Sequence, residues 1–213
     1  MENSILALDC SLRWTNVAVF QGGDILVSER LDIGRRQAAE LPIIVKNALS
    51  DAGRSFGQVG LLAVTNCPGY FTGIRVGVSY AAALAYGLGV KVAPVSTLHM
   101  LAGLHARTPV LVAVYAGRER VYAASFGCFG CGDRVKLPTG EYGQDEIEKW
   151  LLEHKDAELV SDDPEKTFFP SLGREALTVC PDASEVARIA WLNPDTAVNP
   201  MELRVSYHRG PLT

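Results

Sequence analysis

The alternation of short apolar segments in the first hundred residues constrains the fold more than any other feature of this sequence. Segments 4–10, 14–20 and 25–30 are apolar and are separated by short polar turns, which is typical of an antiparallel meander of three strands. The pattern then predicts a helix over 38–52, a strand over 60–65, a helix over 72–88, a strand over 90–95 and a short helix over 96–105. This order indicates one mixed sheet that is covered by helices.

A second, smaller unit begins near Pro109. Strands are predicted over 110–114 and 121–126 and helices over 144–154 and 183–191, whereas the last twenty residues carry mixed signals. We therefore predict an N-terminal mixed-sheet lobe over 1–107 and a smaller C-terminal α/β lobe over 108–213. This order is expected of the α/β, actin-like fold of sugar kinases and Hsp70-type proteins, although a fold does not fix a function.

Charge and cysteine content argue against several classes of protein. The 213 residues include 20 basic and 24 acidic side chains, a net charge of −4, and no basic stretch is longer than Arg35-Arg36. Because affinity for nucleic acids depends on clustered cations, we expect the chain alone to bind nucleic acids weakly or not at all. The five scattered cysteines are typical of reduced thiols in the cytoplasm, and we expect neither a signal peptide nor a membrane span.

Two turns contain residues that could contact an anion. Asp9-Cys10-Ser11 follows the first strand, and in actin-like lobes such a turn presents N–H groups and a hydroxyl to phosphate, with the acid near the metal. This pattern predicts weak ATP or ADP binding at Asp9, Cys10 and Ser11, and the alternative is an ordinary hairpin turn. The turn 66–73 precedes a helix, but no Lys follows its last glycine as in a Walker loop, so a structural turn is favoured.

The sequence contains no complete catalytic or metal-binding motif. Cys128-x-x-Cys131 offers two thiolates where a structural zinc site usually needs four ligands, and a hairpin turn is the favoured interpretation. The sequence has no His-x-x-x-His pair and no His-Glu-x-x-His segment. We therefore expect no catalytic residue, no metal and no tightly held cofactor.

Several segments together resemble the TsaB (YeaZ) family. They are Ile5-Leu-Ala-Leu-Asp-Cys-Ser11, Arg35-Arg36 before a Leu-Pro helix, Pro68-Gly-Tyr-Phe-Thr-Gly-Ile-Arg-Val-Gly-Val78, Ala85-Tyr-Gly-Leu-Gly-Val90, Val95-Ser-Thr-Leu98 and Arg120-Val-Tyr-Ala123. The Pro-Gly-x-Phe-Thr-Gly-x-Arg-x-Gly segment is the most specific of them. The resemblance covers the N-terminal lobe and the start of the C-terminal lobe.

The resemblance implies a non-catalytic subunit of the bacterial pathway that makes threonylcarbamoyladenosine in tRNA. It implies that the chain binds and supports the catalytic, metal-holding paralogue TsaD, and that the ATPase TsaE joins the same complex. It also implies that isolated copies form homodimers through the two helices of the N-terminal lobe. tRNA would then be bound only through the complex.

Three positions depart from the family pattern. Gln37 stands where a His is expected, Tyr115-Ala-Gly stands where the family usually reads Asp-Ala-Arg, and segment 202–208 resembles the family only loosely. Tyr115 removes the acid of the second phosphate loop, so tight binding of ATP is not expected. The alternative function, a small ATP-dependent kinase or acyl-transfer enzyme of the same fold, would require a complete phosphate site.

The helix predicted over 72–88 is hardly polar on any side. Gly73 and Gly77 allow close backbone approach on one side, and Arg75, Ser79, Ala82 and Tyr86 form a seam almost opposite. We interpret the seam as a partner surface, and the alternative is burial under the second lobe. With helix 38–52, the predicted partner interface comprises Leu41, Ile44, Val45, Gly73, Arg75, Val78, Ser79, Ala82 and Tyr86.

Overall fold

Each of the two units of the chain is built on its own five-stranded sheet. The computed structural model describes residues 3–104, 110–127 and 137–206. The first unit ends at Met100 and resumes over Pro181–Ser206, and the residues from Leu101 to Cys180 form the second unit. The main elements of the first unit before this break are β1 (Ser4–Asp9), β2 (Thr15–Gln21), β3 (Asp24–Leu31), α1 (Gln37–Asp51), β4 (Val59–Cys67), α2 (Phe71–Leu88) and β5 (Lys91–Ser96). The short helix α3 (Thr97–Gly103) crosses the break.

The first sheet has the strand order β3-β2-β1-β4-β5. Its first three strands form the predicted antiparallel meander, whereas β1, β4 and β5 run parallel to one another. Asp9 pairs with Asn16 on β2, and Leu8 pairs with Val64 on β4. The carboxyl ends of β1 and β4 therefore meet at one edge of the sheet, and α2 begins beside that edge.

Alternate residues of β1 and β2 face opposite sides of the first sheet. Leu6, Leu8, Val17 and Val19 pack in one core cluster with the buried stripes of α1 and α2. On the other side, four fully buried alanines pair across four strands: Ala18, Ala7, Ala63 and Ala93. Their small side chains leave room for a helix to lie close to the sheet.

The second sheet has the strand order β10-β9-β6-β7-β8. Its elements are β6 (Val110–Gly117), β7 (Arg120–Phe126), β8 (Gly140–Tyr142), α4 (Gln144–Glu153), β9 (Glu158–Ser161) and β10 (Leu177–Thr178). The long strands and the helix are where the sequence predicts them. The three shortest strands are too brief to show an alternating pattern and are not predicted. Cys128 and Cys131 lie outside the described residues.

The last helix, α5 (Ala183–Leu192), belongs to the first unit. This differs from the predicted lobe boundaries, which assign all of 108–213 to the C-terminal lobe. The physical reason is packing. α5 contacts β1 and β2, and its buried residues are, like those of the sheet, small: Ala183, Ala187 and Ala190. Local periodicity predicts the helix but cannot show which sheet it covers.

The segment after α5 also packs on the first unit. Val198 exchanges backbone hydrogen bonds with Val92 on β5, and Leu203 is buried in the core cluster with α2. This segment is the part for which the sequence gives mixed signals, because most of it is neither helix nor strand. Among the helices that the structure describes, none is both long and apolar enough to span a bilayer.

Candidate functional site: a closed turn and an exposed helix face

The carboxylate of Asp9 is fully engaged inside the first unit. Its Oδ1 accepts hydrogen bonds from the N–H of Ser11 at 3.0 Å, the Oγ of Ser11 at 2.6 Å and the Oγ1 of Thr65 at 2.7 Å. Its Oδ2 accepts a fourth bond, of 2.8 Å, from the Nδ2 of Asn16. Asp9 is fully buried, so these four donors replace water as the partners of its charge.

The segment before α2 closes the turn between β1 and β2. The N–H of Tyr70 donates a hydrogen bond of 2.6 Å to the carbonyl oxygen of Ser11. A Cβ at Gly69 would lie 2.2 Å from that oxygen, and a Cβ at Gly73 would lie 2.0 Å from the carbonyl oxygen of Cys10. Both glycines are therefore required for backbone-to-backbone contact, as the sequence predicts for Gly73.

The predicted nucleotide-binding residues all lie in this closed turn. Asp9, Cys10 and Ser11 are each at most 1% exposed. Burial, together with the charge of Asp9, raises the pKa of the Cys10 thiol, so this thiol stays protonated. A nucleotide would reach these side chains only if the start of α2 moved away from the turn.

A cleft lies next to the closed turn. It has a volume of about 510 Å³ and is lined by Arg13, Arg35, Gln37 and Thr72, among others. Arg13 is paired with Asp32 at 2.7 Å, and the Nε2 of Gln37 donates a 3.0 Å hydrogen bond to the Oγ1 of Thr15. The residue that departs from the family pattern at position 37 therefore contributes to the floor of this cleft.

Five of the nine residues in the predicted partner interface are core residues. Leu41, Ile44, Val45, Gly73 and Val78 are buried within the first unit, where all but Gly73 belong to its core cluster. The prediction that these five face a partner needs correction because their i, i+3, i+4 spacing places them against their own sheet. Periodicity identifies a buried stripe without identifying what buries it.

The other four predicted residues lie on the outer side of α2. Arg75 and Ser79 are exposed, Ala82 is half-buried and Tyr86 is 71% exposed. The sequence analysis missed Phe71, which is 56% exposed and lies one turn before Arg75, whose guanidinium is 3.8 Å from the Phe71 ring centroid. We call Phe71, Arg75, Ser79, Ala82 and Tyr86 the α2 stripe.

A shallow groove runs between α1 and α2. Its volume is about 350 Å³, and its lining residues are Ala38, Leu41, Arg75, Val76, Ser79 and Tyr80. The groove thus continues the α2 stripe toward α1. Elsewhere on α1, Ile43 is 59% exposed, which the sequence pattern does not predict. A groove with small side chains inside it and large apolar side chains beside it has a shape into which a helix of another protein can pack.

The matching turn of the second unit, between β6 and β7, has a different character. Tyr115 is 41% exposed at the end of β6, and Arg118 and Glu119 have positive φ angles, as in a tight two-residue hairpin. Asp162 follows β9, the parallel neighbour of β6, and burial with the nearby charge of Asp163 raises the pKa of Asp162 to about 6. Among the residues described, no three His, Cys, Asp or Glu side chains are placed to hold one metal ion.

Comparison with known proteins assigns the chain to a family. The family model for TsaD, tRNA N6-adenosine threonylcarbamoyltransferase, matches residues 32–189. The tRNA threonylcarbamoyladenosine biosynthesis protein TsaB of Buchnera aphidicola (from Acyrthosiphon pisum) is 27% identical over 81% of this chain and 80% of its own length. The TsaB of Haemophilus influenzae is 32% identical over 68% of this chain and 61% of its own length. The chain belongs to the TsaB (YeaZ) family.

A solved structure supports the fold of this TsaB-family chain. A Pseudomonas aeruginosa protein described as similar to peptidase YEAZ superposes with a TM-score of 0.78 at 22% identity, covering 97% of this chain and 100% of that one. The predicted α/β, actin-like fold is thereby confirmed. The most specific segment of the resemblance, Pro68 to Val78, is also the segment that closes the Asp9 turn and begins α2.

Proposed function

We propose that this chain is a non-catalytic subunit in the biosynthesis of threonylcarbamoyladenosine in tRNA, where it binds and supports a TsaD-type catalytic paralogue. Its membership of the TsaB family supports the pathway, since the curated relatives carry that pathway in their names. The match spans 80% of one relative but only 61% of the other, so the activity and partners of those whole proteins are proposals for this chain.

The contrast between the closed turn and the α2 stripe is the observation that carries this proposal. An enzyme of the actin-like fold needs its first turn to present hydrogen-bond donors and a carboxylate to a phosphate and its metal. Here Asp9 is saturated by Ser11, Asn16 and Thr65. The exposed side of α2, by contrast, suits a protein partner better than a small substrate.

The same surface accounts for the proposed partners. A TsaD-type paralogue would pack against the α2 stripe and the groove beside α1, and a second copy would occupy this face when the paralogue is absent. A TsaE-type ATPase would join the same complex. tRNA would be bound through the assembled complex rather than by this chain alone, in keeping with its net charge of −4.

The first test is complementation of bacteria that lack their own TsaB. Expression of this chain should restore threonylcarbamoyladenosine in total tRNA, measured by mass spectrometry of the nucleosides. Ala82→Glu, in the middle of the α2 stripe, should fail to restore it at equal protein level. If tRNA modification is not restored by the parental chain, although it binds the host TsaD, the proposal is wrong.

The second test separates the subunit from the alternative kinase or acyl-transfer enzyme. The purified chain alone should hydrolyse no ATP above the background of a mock preparation. Hydrolysis that is lost in Asp9→Asn, with the variant still folded by circular dichroism, would favour the enzyme instead. Asp9→Asn is preferred to Asp9→Ala for this purpose because its amide can keep part of the hydrogen-bond network.

A further inference from the structure

The exposed side of the α1–α2 pair is unevenly charged. On α1, Ala38, Pro42 and Lys46 recur at every fourth position, are all exposed, and form a stripe beside α2, since Ala38 lines the groove. We call these three residues the α1 stripe. The α1 stripe and the α2 stripe together contain no acidic side chain.

Asp32 and Glu40, the acidic residues closest in sequence to the start of α1, are already held in ion pairs. These pairs are Arg13 with Asp32, at 2.7 Å, and Arg36 with Glu40, at 2.5 Å. Arg35, which lines the adjoining cleft, and Lys46 form no ion pair within residues 3–104, 110–127 and 137–206. After these ion pairs are counted, positive charge therefore remains on the face at Lys46 and beside the face at Arg35.

This charge affects the two proposed occupants in opposite ways. In a two-fold homodimer the same face is presented by both copies, so Arg35 and Lys46 of one copy approach the like charges of the other. A partner that presents carboxylates meets the same cations favourably. Charge patterns of this kind contribute more to the choice of partner and to the association rate than to the raw affinity.

We infer that the α1–α2 face selects a partner whose facing surface is acidic, and that it disfavours a second copy of this chain. The inference rests on the proposed function, because it takes this face to be the contact with the TsaD-type paralogue. It adds a property that membership of the family does not supply: the paralogue's contacting helices should carry Asp or Glu opposite Arg35 and Lys46. The homodimer should then be the weaker complex.

The test is the salt dependence of the two associations. Dissociation constants would be measured by calorimetry for the full chain with the TsaD-type protein of the same organism, and by analytical ultracentrifugation for the chain alone. Between about 0.05 M and 0.5 M NaCl, the constant for the paralogue should rise about tenfold as screening shortens the reach of the charges. The constant for self-association should stay the same or fall.

Charge reversal provides the second arm. Arg35→Glu combined with Lys46→Glu should weaken binding of the paralogue at least about tenfold at low salt and should not weaken self-association. Lys149→Glu, at an exposed position of α4 in the second unit, makes the same kind of charge change and should leave both constants unchanged. Circular dichroism would confirm that each variant is folded.

The outcomes separate this inference from the proposed function. Tight binding of the paralogue that neither salt nor charge reversal weakens would overturn the inference and leave the proposed function standing. Self-association that weakens with salt as much as paralogue binding does would also overturn it. Absence of paralogue binding at every salt concentration would contradict the proposed function and the inference together.

Discussion

The inner and outer sides of α2 have similar side chains but opposite surroundings. The inner side consists of small and aliphatic residues, Gly73 and Gly77 among them, and it is buried against β1 and β4. The outer side is also poor in charge, yet Phe71 and Tyr86 are 56% and 71% exposed. A helix that is apolar all round is expected to be covered all round, so the outer side indicates a surface that another molecule covers.

The difference shows which part of α2 this chain determines by itself. On the inner side, backbone atoms of Cys10 and Ser11 touch the start of the helix, and each contact requires a specific glycine. On the outer side, Ser79 is exposed, so its size is not fixed by packing in the core of the first unit. Substitutions on the inner side should therefore change the free energy of unfolding, and substitutions on the outer side should change assembly.

The largest effect on stability is expected for substitution of Asp9, whose hydrogen bonds hold the turn against which the inner side of α2 packs. Asp9→Ala removes the acceptor of four hydrogen bonds and leaves the buried donors of Ser11, Asn16 and Thr65 without it. We expect a loss of about 3–5 kcal/mol in the free energy of unfolding, measured by urea denaturation. Asp9→Asn should lose less. A loss below about 1 kcal/mol in Asp9→Ala would show that the network contributes little.

The next effect is expected at Gly73. A Cβ there would lie 2.0 Å from the carbonyl oxygen of Cys10, and backbone atoms cannot rotate away as a flexible side chain can. Gly73→Ala should therefore displace the start of α2 and lower the free energy of unfolding by about 2–3 kcal/mol, although alanine favours helix. Denaturation by urea would measure this, and a variant as stable as the parent would contradict the closed-turn geometry.

Ala82→Glu tests the outer side and should have a small effect on stability. Ala82 is half-buried in the α2 stripe, so we expect the free energy of unfolding to fall by at most about 1 kcal/mol. Binding of the TsaD-type partner and self-association should both weaken more than tenfold because a charge would enter a desolvated contact. Both would be measured by calorimetry and ultracentrifugation.

Asn47→Glu is the matched control for Ala82→Glu. It adds the same charge at an exposed position half a turn around α1 from Ala38, which places it away from the groove. Both associations should be unaffected in this variant. If Ala82→Glu unfolds the chain instead, the outer side of α2 is covered by the chain itself and the interpretation as a partner surface is wrong.

The order of elements could be predicted from the sequence because apolar residues recur with the period of a strand or of a helix along the first unit. The closed turn could not, since the donors to Asp9 come from separate strands and Thr65 is 56 residues away from it. The spacing of Leu41, Ile44 and Val45 indicates a stripe that some other element covers, but periodicity does not distinguish a sheet from a partner. For the same reason α5 was predicted as a helix and assigned to the other lobe.

One exposed aromatic residue of the α2 stripe, Phe71, was missed for a related reason. Phe71 begins α2, and its apolar side chain at the start of an apolar helix suggests burial. Its spacing of four residues from Arg75 was the available signal, because a ring and a guanidinium one turn apart can stack on the exposed side of a helix.

The smallest effect is expected for substitution of Gly77. This variant tests whether the close backbone contact on the inner side of α2 is confined to the start of the helix. Gly77 is buried on the inner side like Gly73, but a Cβ there would lie 3.4 Å from the Cβ of Cys10 and 3.6 Å from the Cγ2 of Val64, which are ordinary contacts. Gly77→Ala should leave the free energy of unfolding unchanged or raise it by up to about 1 kcal/mol, since alanine loses less backbone entropy in a helix. The variant would be measured beside Gly73→Ala in the same urea series. If Gly77→Ala lowered the free energy of unfolding as much as Gly73→Ala, the whole inner side of α2 would be packed as tightly as its first turn. The contact with the turn after β1 would then not explain why Gly73 is required.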